Sequence, residues 1–405
     1  MLPLILGAAS LSIWLGLAFK RGGFWRVSRR PPLPGSRGSV VAVIPARNEA
    51  KTIGTAVASL LAQDFAPVKI IVVDDESTDG TAEIAQAAAS GSERESDLTV
   101  VRGEPLPPGW AGKVWAMTQG VARAEQIHPD FLLLTDADIR HGSHSLSDLV
   151  AIAESRRCDL ASFMVKLVCH TPAERLLIPA FVFFFFKLYP PAWTASDRFR
   201  TAGAAGGCML IRAETLRRIG GLAAIRGAVI DDCALARAVK QSGGRLWLGV
   251  TDDTESIRPY GSFAEIGRMI SRTAFYQLRH SPLLLVGTVA GLSLAYLVPP
   301  VLALRGNRLG AAAWMIQIAT YLPMVRFYRL SPLWAPSLPL AACFYMGATI
   351  HSAVAYWRGR GGKWKGRIQD RSGTDDGFLS SVNPDPTLAP DRFPQRYSRG
   401  FVCLD

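Results

Sequence analysis

Apolar residues are concentrated at the two ends of the 405-residue chain. Residues 2–19 carry no charge, and Lys20, Arg21, Arg26 and other basic residues follow them. A segment of that length can span a bilayer as a helix, and positive charge after it favours a cytoplasmic position for the following chain. The pattern predicts an N-terminal transmembrane anchor over residues 1–20. A cleaved signal peptide is the alternative, although it would carry its positive charges before the apolar run.

The apolar pattern returns near the other end. Residues 282–304, 309–325 and 334–357 are each apolar over about the length of a membrane helix. They predict C-terminal membrane helices within residues 282–357. Arg326 and Arg329 interrupt the middle part, so one of the three segments can be re-entrant or interfacial. Three spans would place the tail outside, whereas the basic residues between 358 and 367 favour the inside.

The last part of the chain is polar. Residues 367–405 are rich in Asp, Ser, Gly and Pro, and we predict a disordered tail there. The basic segment KWKGR, residues 363–367, has two interpretations: it helps to close a donor site, or it attracts anionic lipid.

Between the apolar ends, residues 38–275 alternate between short β-branched runs and helical patterns. "SVVAVIPARNEA" ends in polar residues before a helical pattern, and "VKIIVVDDESTDGTAEIA" repeats the plan of strand, acidic turn and helix. This alternation predicts an α/β domain with a doubly wound parallel sheet. Such sheets bind ligands at the carboxyl ends of their strands.

One apolar stretch lies inside this domain. "LLIPAFVFFFFKLYPPAW", residues 176–193, is short and interrupted by proline. We expect it to lie in the membrane interface and to form the entry for a lipid acceptor. A buried core helix is the competing interpretation.

Composition narrows the class of partner. Hydrophobic residues make up 49% of the chain, charged residues 19%, and the net charge is +12. Basic chains bind nucleic acid, anionic lipid or phosphorylated ligands, and the apolar clusters favour membrane and phosphate over nucleic acid. The six cysteines form no CxxC pair, so neither a zinc site nor a disulfide framework is indicated.

Acidic residues follow a buried strand in "LLLTDADIR". Asp136 and Asp138 stand one residue apart, directly after the apolar run. Two carboxylates so placed can converge on Mg²⁺ or Mn²⁺, which commonly share oxygen ligands with a diphosphate. The alternative is a solvated loop with two helix-capping acids.

Two other predicted strands also end in polar residues. Asp74 or Asp75 can accept a hydrogen bond from the imide N–H of a uracil, while the residues after them suit a helix cap. Arg47, Asn48 and Glu49 follow the first strand, where Glu49 can hold ribose hydroxyls. Ordinary loop polarity is the alternative for this group.

The motifs "VIPARNEA", "VVDDESTDGT", "TDAD" and "IDDCALARAVK" occur in an order that resembles family 2 inverting glycosyltransferases of the GT-A fold. The resemblance covers residues 40 to about 275. The membrane layout, "GWAGKVWA" and "SRTAFYQLRHS" look closer still to the hopanoid-biosynthesis-associated glycosyltransferases, and ceramide glucosyltransferases share the general layout.

This resemblance implies a role for each matching position. The nucleotide-sugar-binding residues would be Pro45, Arg47, Asn48, Glu49, Asp74, Asp75, Lys113, Asp136, Arg268 and Arg272; the acceptor side would include Gly206 and Gly207; Asp136 and Asp138 would hold the divalent cation. Asp138 is favoured for direct metal contact.

The general base is implied by an acidic pair that precedes a helix. The family has Glu-Asp at this place, and here the pair is Asp231–Asp232, with Asp232 as the expected base. Adjacent acids can raise each other's pKa, which suits a base. The alternative is an acidic pair favoured only by the helix dipole.

The overall expectation is a membrane-bound enzyme that moves one sugar from a nucleotide-sugar, with UDP favoured, to a lipid acceptor. It would be a multi-pass protein of a bacterial-type inner (cytoplasmic) membrane, with the catalytic domain facing the cytoplasm. Polymerising relatives carry a Q-x-x-R-W motif, and "IGRMISRTAFYQLRHS" lacks its Trp. A processive polysaccharide synthase and a non-catalytic nucleotide-sugar or lipid-binding protein remain the alternatives.

Overall fold

The β-branched runs of the sequence form one eight-stranded sheet in the computed structural model of the protein. The structure describes residues 1–27, 38–65 and 68–359, and the backbone of 363–364 and 367–368. These lie in the unit Met1–Gln369. The tail predicted to be disordered, 367–405, begins with the strand residues Arg367 and Ile368; the rest of the tail and the side chains of KWKGR lie outside the described residues.

The strands of the main sheet are β1 Val40–Ala46, β2 Val68–Asp74, β3 Leu98–Arg102, β4 Phe131–Thr135, β5 Ile139–Arg140, β6 Leu160–Lys166, β7 Cys208–Arg212 and β8 Leu246–Ser256. Two further short strands, β9 Lys363–Trp364 and β10 Arg367–Ile368, pair antiparallel with each other. The order in the main sheet is β3-β2-β1-β4-β7-β6-β8-β5.

The sheet is only partly parallel. β3, β2, β1 and β4 run parallel, as the alternation of strands and helices predicted. β7 runs antiparallel between β4 and β6, with Thr135 opposite Cys208. A long helical connection precedes β7 and does not cross to the opposite edge of the sheet. β7 therefore begins at the carboxyl edge of the sheet. The residues just before β7 therefore lie beside the end of β4.

The helices are α1 Leu2–Lys20, α2 Ile53–Leu61, α3 Thr81–Ala87, α4 Gly112–Glu125, α5 Ser145–Ser155, α6 Pro172–Leu188, α7 Pro191–Thr194, α8 Ala213–Arg218, α9 Asp231–Gln241, α10 Phe263–Ser271, α11 Ala274–Gln277, α12 Pro282–Leu292, α13 Val298–Leu304, α14 Arg308–Phe327 and α15 Leu338–Trp357. A π-helical turn, Ser293–Leu297, joins α12 to α13.

Both faces of the sheet are buried, which explains why its central strands read as continuous apolar runs. In β1, Ala42 and Ile44 belong to the core on one face, whereas Val41 and Val43 belong to the core on the other. The sheet is therefore covered by helices on both sides.

Four helical segments in the described part of the chain are long and apolar enough to cross a membrane: Leu2–Lys20, Pro172–Thr194, Pro282–Leu304 and Pro332–Trp357. The predicted segment 309–325 forms α14 but does not join this set. Arg308, Gln317 and Arg326 make α14 more polar than its neighbours. Of the three predicted C-terminal spans, the one in α14 is thus more polar than the other two.

The segment Pro172–Thr194 is bonded to the α/β domain at both ends. At its start, Glu174 accepts a hydrogen bond from the backbone N–H of Tyr260 at 2.8 Å. At its end, Lys240 of α9 donates to the carbonyl oxygens of Trp193 and Thr194 at 3.1 and 2.8 Å. Its middle packs against α14 and α15, and the interfacial position stays a prediction.

Candidate active site

The carboxyl edge of the sheet gathers the polar residues that the sequence placed at strand ends. β1, β2, β4 and β8 all end there, and the antiparallel β7 begins there. The acidic start of α9 faces the same edge, because Asp232 bonds to the segment that precedes β7. Distant parts of the chain therefore meet at one place.

Lys113 links two acids from different elements. Its Nζ lies 2.8 Å from Oδ1 of Asp136, after β4, and 3.1 Å from Oδ2 of Asp231, at the start of α9. All three side chains are at least half-buried, with exposures of 19%, 35% and 14%. A salt bridge shared in this way fixes the predicted donor-side acid against the predicted base pair.

Asp232 is held by two backbone donors. The N–H of Gly206 donates to its Oδ2 at 2.9 Å, and the N–H of Cys233 donates to its Oδ1 at 2.6 Å. Both carboxylate oxygens thus have a defined orientation. The side chain cannot rotate freely, which is what a positioned base requires.

The two predicted acceptor-side glycines have different surroundings. A Cβ atom added at Gly206 would lie 3.3 Å from Oδ2 of Asp232 and 3.4 Å from Nζ of Lys113. A Cβ atom at Gly207 would instead meet the side chains of Ile139 and Val165, both at 3.2 Å. Gly206 therefore lies in the charged cluster, whereas Gly207 packs against the interior of the sheet.

Burial and neighbouring charges perturb the acids of this cluster. Burial, reinforced by the adjacent Asp231, raises the pKa of Asp232 to about 6. Burial also raises the pKa of Asp136, although Lys113 opposes the shift. For Lys113, burial lowers the pKa, but Asp136 and Asp231 outweigh it and the net pKa is raised. Perturbed pKa values of this kind are concentrated at functional sites.

Arg258 is a site residue that the sequence did not reveal. It follows β8, and its Nε donates to Oδ2 of Asp138 at 2.7 Å. Its Nη2 donates to both carboxylate oxygens of Glu49, at 2.6 and 2.7 Å. The guanidinium therefore bridges the loops after β1 and β4. The sequence does show a basic residue just after a strand. Its position beside Asp138, however, follows only from the pairing of β8 with β6.

The loops after β1 and β2 are bonded to each other. The N–H of Asn48 donates to Oγ of Ser77 at 2.9 Å, and Oδ1 of Asn48 accepts from the N–H of Thr78 at 2.9 Å. Asn48 and Glu76 both have positive φ, at 52° and 53°. Non-glycine residues in this region are strained and are enriched at ligand sites. The two loops form one preorganised wall.

Two acids stand at the end of β2: Asp74 is its last residue and Asp75 follows. Asp75 is fully buried, and the nearest guanidinium nitrogen of Arg47 is 3.5 Å from its Oδ2. Oδ1 of Asp74 is buried without a hydrogen-bond partner among the described residues. A buried unsatisfied acceptor is costly, so it is available to a donor on a ligand. Pro45 lies in β1, buried and opposite Val73.

The predicted phosphate-binding residues Arg268 and Arg272 are not brought into the acid cluster. Arg268 is 69% exposed and lies 3.9 Å from Glu265 in the same helix. Arg272 is exposed just after α10. Because Ile266 and Ile270 face the interior, residue 268 points to the opposite side of the helix.

Asp136 and Asp138, the predicted metal ligands, each give one carboxylate oxygen to a protein cation. The second oxygens, Oδ2 of Asp136 and Oδ1 of Asp138, make no hydrogen bond within the described residues. Two carboxylates that share a divalent cation with a diphosphate fit this arrangement. No group of three His, Cys, Asp or Glu side chains suited to a metal occurs in the described ranges, so a bound cation would depend on ligand oxygens.

Tyr189, near the end of the α6–α7 segment, reaches the neighbourhood of the base. Its hydroxyl accepts from Nε2 of Gln277 at 2.7 Å and contacts the thiol of Cys233. A Cβ atom at Gly203 would lie 2.6 Å from its ring, so the backbone passes close to the tyrosine. The predicted acceptor entry thus ends beside the residue that follows Asp232.

The geometry agrees with a family match. Residues 41–220 match the model described as "Glycosyl transferase family 2". These residues resemble a family 2 glycosyltransferase domain. The match supports the predicted class of enzyme, while the individual site roles stay predictions.

Two curated relatives resemble parts of this chain. Both are 4,4'-diaponeurosporenoate glycosyltransferases. The protein from Staphylococcus haemolyticus is 32% identical over 140 residues, which cover 34% of this chain and 35% of the relative. The protein from Staphylococcus aureus is 41% identical over 87 residues, 21% of each. The matches span only about a third or less of the relatives' own length.

A solved structure supports the predicted fold. The mannosyltransferase PcManGT from Pyrobaculum calidifontis, solved with GDP-Man and Mn²⁺, superposes with a TM-score of 0.51 and 18% identity. The match covers 86% of this chain and 97% of that chain. The predicted GT-A fold of the glycosyltransferase domain is confirmed.

Proposed function

We propose that the protein is a membrane-associated inverting glycosyltransferase that moves a single sugar from a nucleotide-sugar to a lipid acceptor. The observation that carries the proposal is the junction made by Lys113. It joins Asp136 on the donor side to Asp231, and the next residue, Asp232, is oriented by backbone donors. A leaving diphosphate and an attacking hydroxyl can meet across this junction.

Asp232 is the proposed general base. With a pKa of about 6, it is mostly ionised at neutral pH and still basic enough to accept a proton. The acceptor oxygen forms a bond to the anomeric carbon while the bond from that carbon to the diphosphate oxygen breaks. The proton passes to Asp232, and the bonding electrons leave with the diphosphate. Attack from the face opposite the leaving group inverts the anomeric centre.

The donor side is cationic as well as acidic. Lys113 and Arg258 provide fixed positive charge beside Asp136 and Asp138, which stabilises a diphosphate as negative charge develops on it. Asp136 and Asp138 would hold Mg²⁺ or Mn²⁺, which neutralises charge on the leaving group when bound. The mannosyltransferase relative was solved with Mn²⁺, which supports use of a divalent cation.

The nucleoside would lie against the wall formed by the loops after β1 and β2. The unsatisfied Oδ1 of Asp74 suits the imide N–H of uracil, and Glu49 suits the ribose hydroxyls. We therefore propose a UDP-sugar as donor. Because the mannosyltransferase relative was solved with GDP-Man, a GDP-sugar is the specific competitor to test.

The acceptor is proposed to be a lipid that approaches along the α6–α7 segment. Tyr189 contacts Cys233 beside the base, and the segment is bonded to the α/β domain at both ends. Both curated relatives are named for a lipid-like carotenoid acid. A hopanoid acceptor rests on the resemblance of "GWAGKVWA" and "SRTAFYQLRHS" alone.

We also propose a bacterial-type inner membrane with the catalytic domain in the cytoplasm. Lys20, Arg21 and Arg26 follow the candidate span α1, and such residues favour the cytoplasmic side. The four candidate spans support a membrane location.

The proposal is tested by incubating the full chain in proteoliposomes with UDP- and GDP-sugars and a panel of polyol hopanoids, carotenoid acids and ceramides. Mass spectrometry of the lipid product is expected to show one added hexose, and NMR an inverted anomeric centre. Asp232→Asn is the inactive control. Products with several sugars would favour a processive synthase. Donor binding without transfer to any lipid would favour a binding protein.

A further inference from the structure

Two cationic side chains meet beside the candidate membrane helices, and among the described residues neither has an acidic partner. Nε of Arg21, which follows α1, donates to the backbone carbonyl of Lys187 in α6 at 3.1 Å. The Lys187 ammonium donates to the hydroxyl of Tyr296 at 3.0 Å. Within residues 1–27, 38–65 and 68–359, neither cation forms an ion pair.

Aromatic rings surround the pair. The guanidinium carbon of Arg21 lies 4.5 Å from the ring centroid of Trp193. Nζ of Lys187 lies 5.1 Å from the centroid of Phe184 and 4.8 Å from that of Tyr296. Such rings attract cations but do not neutralise their charge. Cations inside membrane segments are costly, and they commonly mark a ligand or ion pathway.

A helix irregularity lies at the same place. Tyr296 belongs to the π-helical turn, whose carbonyls at Leu294 and Ala295 accept hydrogen bonds from Ser10 and Trp14 of α1 at 2.8 and 2.6 Å. These bonds fix the turn independently of Lys187. π-helical turns occur frequently at functional sites. The hydroxyl that receives Lys187 is therefore part of a preformed arrangement.

The charge and the surroundings define the ligand class. Arg21 and Lys187 are each partly exposed. Leu15 and Phe19 of α1, the helix that Arg21 follows, expose apolar surface. A ligand with a negative head and an apolar body fits both features. We propose that Arg21 and Lys187 bind the anionic head group of a bilayer phospholipid, whose acyl chains lie against α1.

The site lies on the proposed acceptor entry, because Phe184, Lys187 and Trp193 belong to the segment Pro172–Thr194, but it is separate from the catalytic cluster. None of the residues that contact the two cations is Lys113, Arg258 or an acid of the catalytic cluster. Lipid binding can therefore be measured without any sugar donor or acceptor, and its failure would leave the proposed reaction untouched. Each basic residue near an anionic membrane surface contributes about 1 kcal/mol, a factor of about five in affinity.

The experiment titrates the full chain in neutral detergent with short-chain phosphatidylglycerol, with phosphatidylcholine of the same chain length, and with inorganic phosphate. Thermal unfolding reports binding. Phosphatidylglycerol is expected to raise the Tm, and the other two ligands are not. Arg21→Gln and Lys187→Gln are each expected to weaken the phosphatidylglycerol response about fivefold. Lys20→Gln, which removes an exposed neighbouring cation, is the matched control and keeps the wild-type response.

Equal responses to phosphatidylglycerol and phosphatidylcholine would overturn the proposal. A phosphate response as strong as that to phosphatidylglycerol would assign the cations to a soluble anion and also overturn it. If Lys187→Gln does not fold, Arg21→Gln and the charge-conserving Lys187→Arg decide the matter. The proposal requires weakened binding in Arg21→Gln and retained binding in Lys187→Arg; the reverse pattern would exclude it.

Discussion

Arg258 donates a hydrogen bond from Nε to Oδ2 of Asp138 at 2.7 Å, across 120 positions of the sequence. The same guanidinium contacts Glu49 at 2.6 Å. One cation therefore balances two carboxylates at the proposed donor site. A divalent cation that approaches Asp138 meets a positive charge already in place.

Replacing Arg258 by Gln is expected to strengthen donor-independent Mn²⁺ binding about tenfold, because the variant removes the positive charge that competes with the ion for Asp138. Tenfold corresponds to about 1.4 kcal/mol. Titration of Mn²⁺ followed by electron paramagnetic resonance measures this without turnover. Arg268→Gln, at an exposed position, is the matched control. Weaker Mn²⁺ binding in Arg258→Gln would contradict this prediction.

Replacing Asp232 by Asn is expected to reduce kcat by about 10²- to 10⁴-fold, the usual effect of a general base. Binding of the nucleotide diphosphate, measured by calorimetry, should stay near the wild-type value, since Asp232 contacts backbone amides and not the nucleoside wall. The thermal unfolding curve of the variant checks that the fold is intact. Turnover at the wild-type rate would refute the assignment of the base.

The rate should depend on pH through the ionisation of Asp232. Because the base must be deprotonated and its pKa is about 6, kcat/KM is expected to fall about tenfold per pH unit below pH 6. Asp231 contributes to the raised pKa, so Asp231→Asn should move this limb to lower pH. The measurement is kcat/KM from pH 4.5 to 8 in both proteins. An unshifted limb in the variant would argue against Asp232 as the titrating group.

The adjacent glycines Gly206 and Gly207 allow an effect on the active site to be distinguished from an effect on the core. Gly206→Ala places a methyl group 3.3 Å from Asp232 and 3.4 Å from Lys113, and displacement of the base is expected to reduce kcat/KM by about 10²-fold with little change in Tm. Gly207→Ala crowds Ile139 and Val165 and is expected to cost about 1–3 kcal/mol of stability. Kinetics and thermal unfolding of both variants distinguish the effects. Equal effects of the two substitutions on both measurements would mean that Gly206 has no separate role.

The part of the site that depends on local patterns was predictable from sequence. Asp74, Asp136 and Glu49 follow apolar runs, and parallel strands β1, β2 and β4 necessarily present such residues at one edge. The Asp231–Asp232 pair was found by resemblance, whereas its contact with Lys113 was seen only in the structure.

The part that depends on non-local pairing was not predictable. Arg258 reaches Asp138 only because β8 pairs with β6 and β5. The β8 sequence "LWLGVTDDTES" contains too many polar residues to predict a long strand. The antiparallel direction of β7 could not be predicted from its sequence either, because the direction of a strand depends on the path of the chain before it. Arg268 is exposed on its helix; its motif indicates a helix but not which face of the helix meets the site, so its phosphate-binding role stays a prediction.

Glu174 is buried, and its carboxylate accepts hydrogen bonds from the backbone N–H groups of His170, Thr171 and Tyr260, each at 2.8 Å. Tyr260 stands two residues after Arg258. Deletion of the segment Pro172–Thr194 to obtain a water-soluble protein would thus remove the hydrogen-bond acceptor of the Tyr260 amide. It would also loosen the position of the Arg258 guanidinium beside Asp138. Any shortened form intended for nucleotide-binding work should retain residues 170–174.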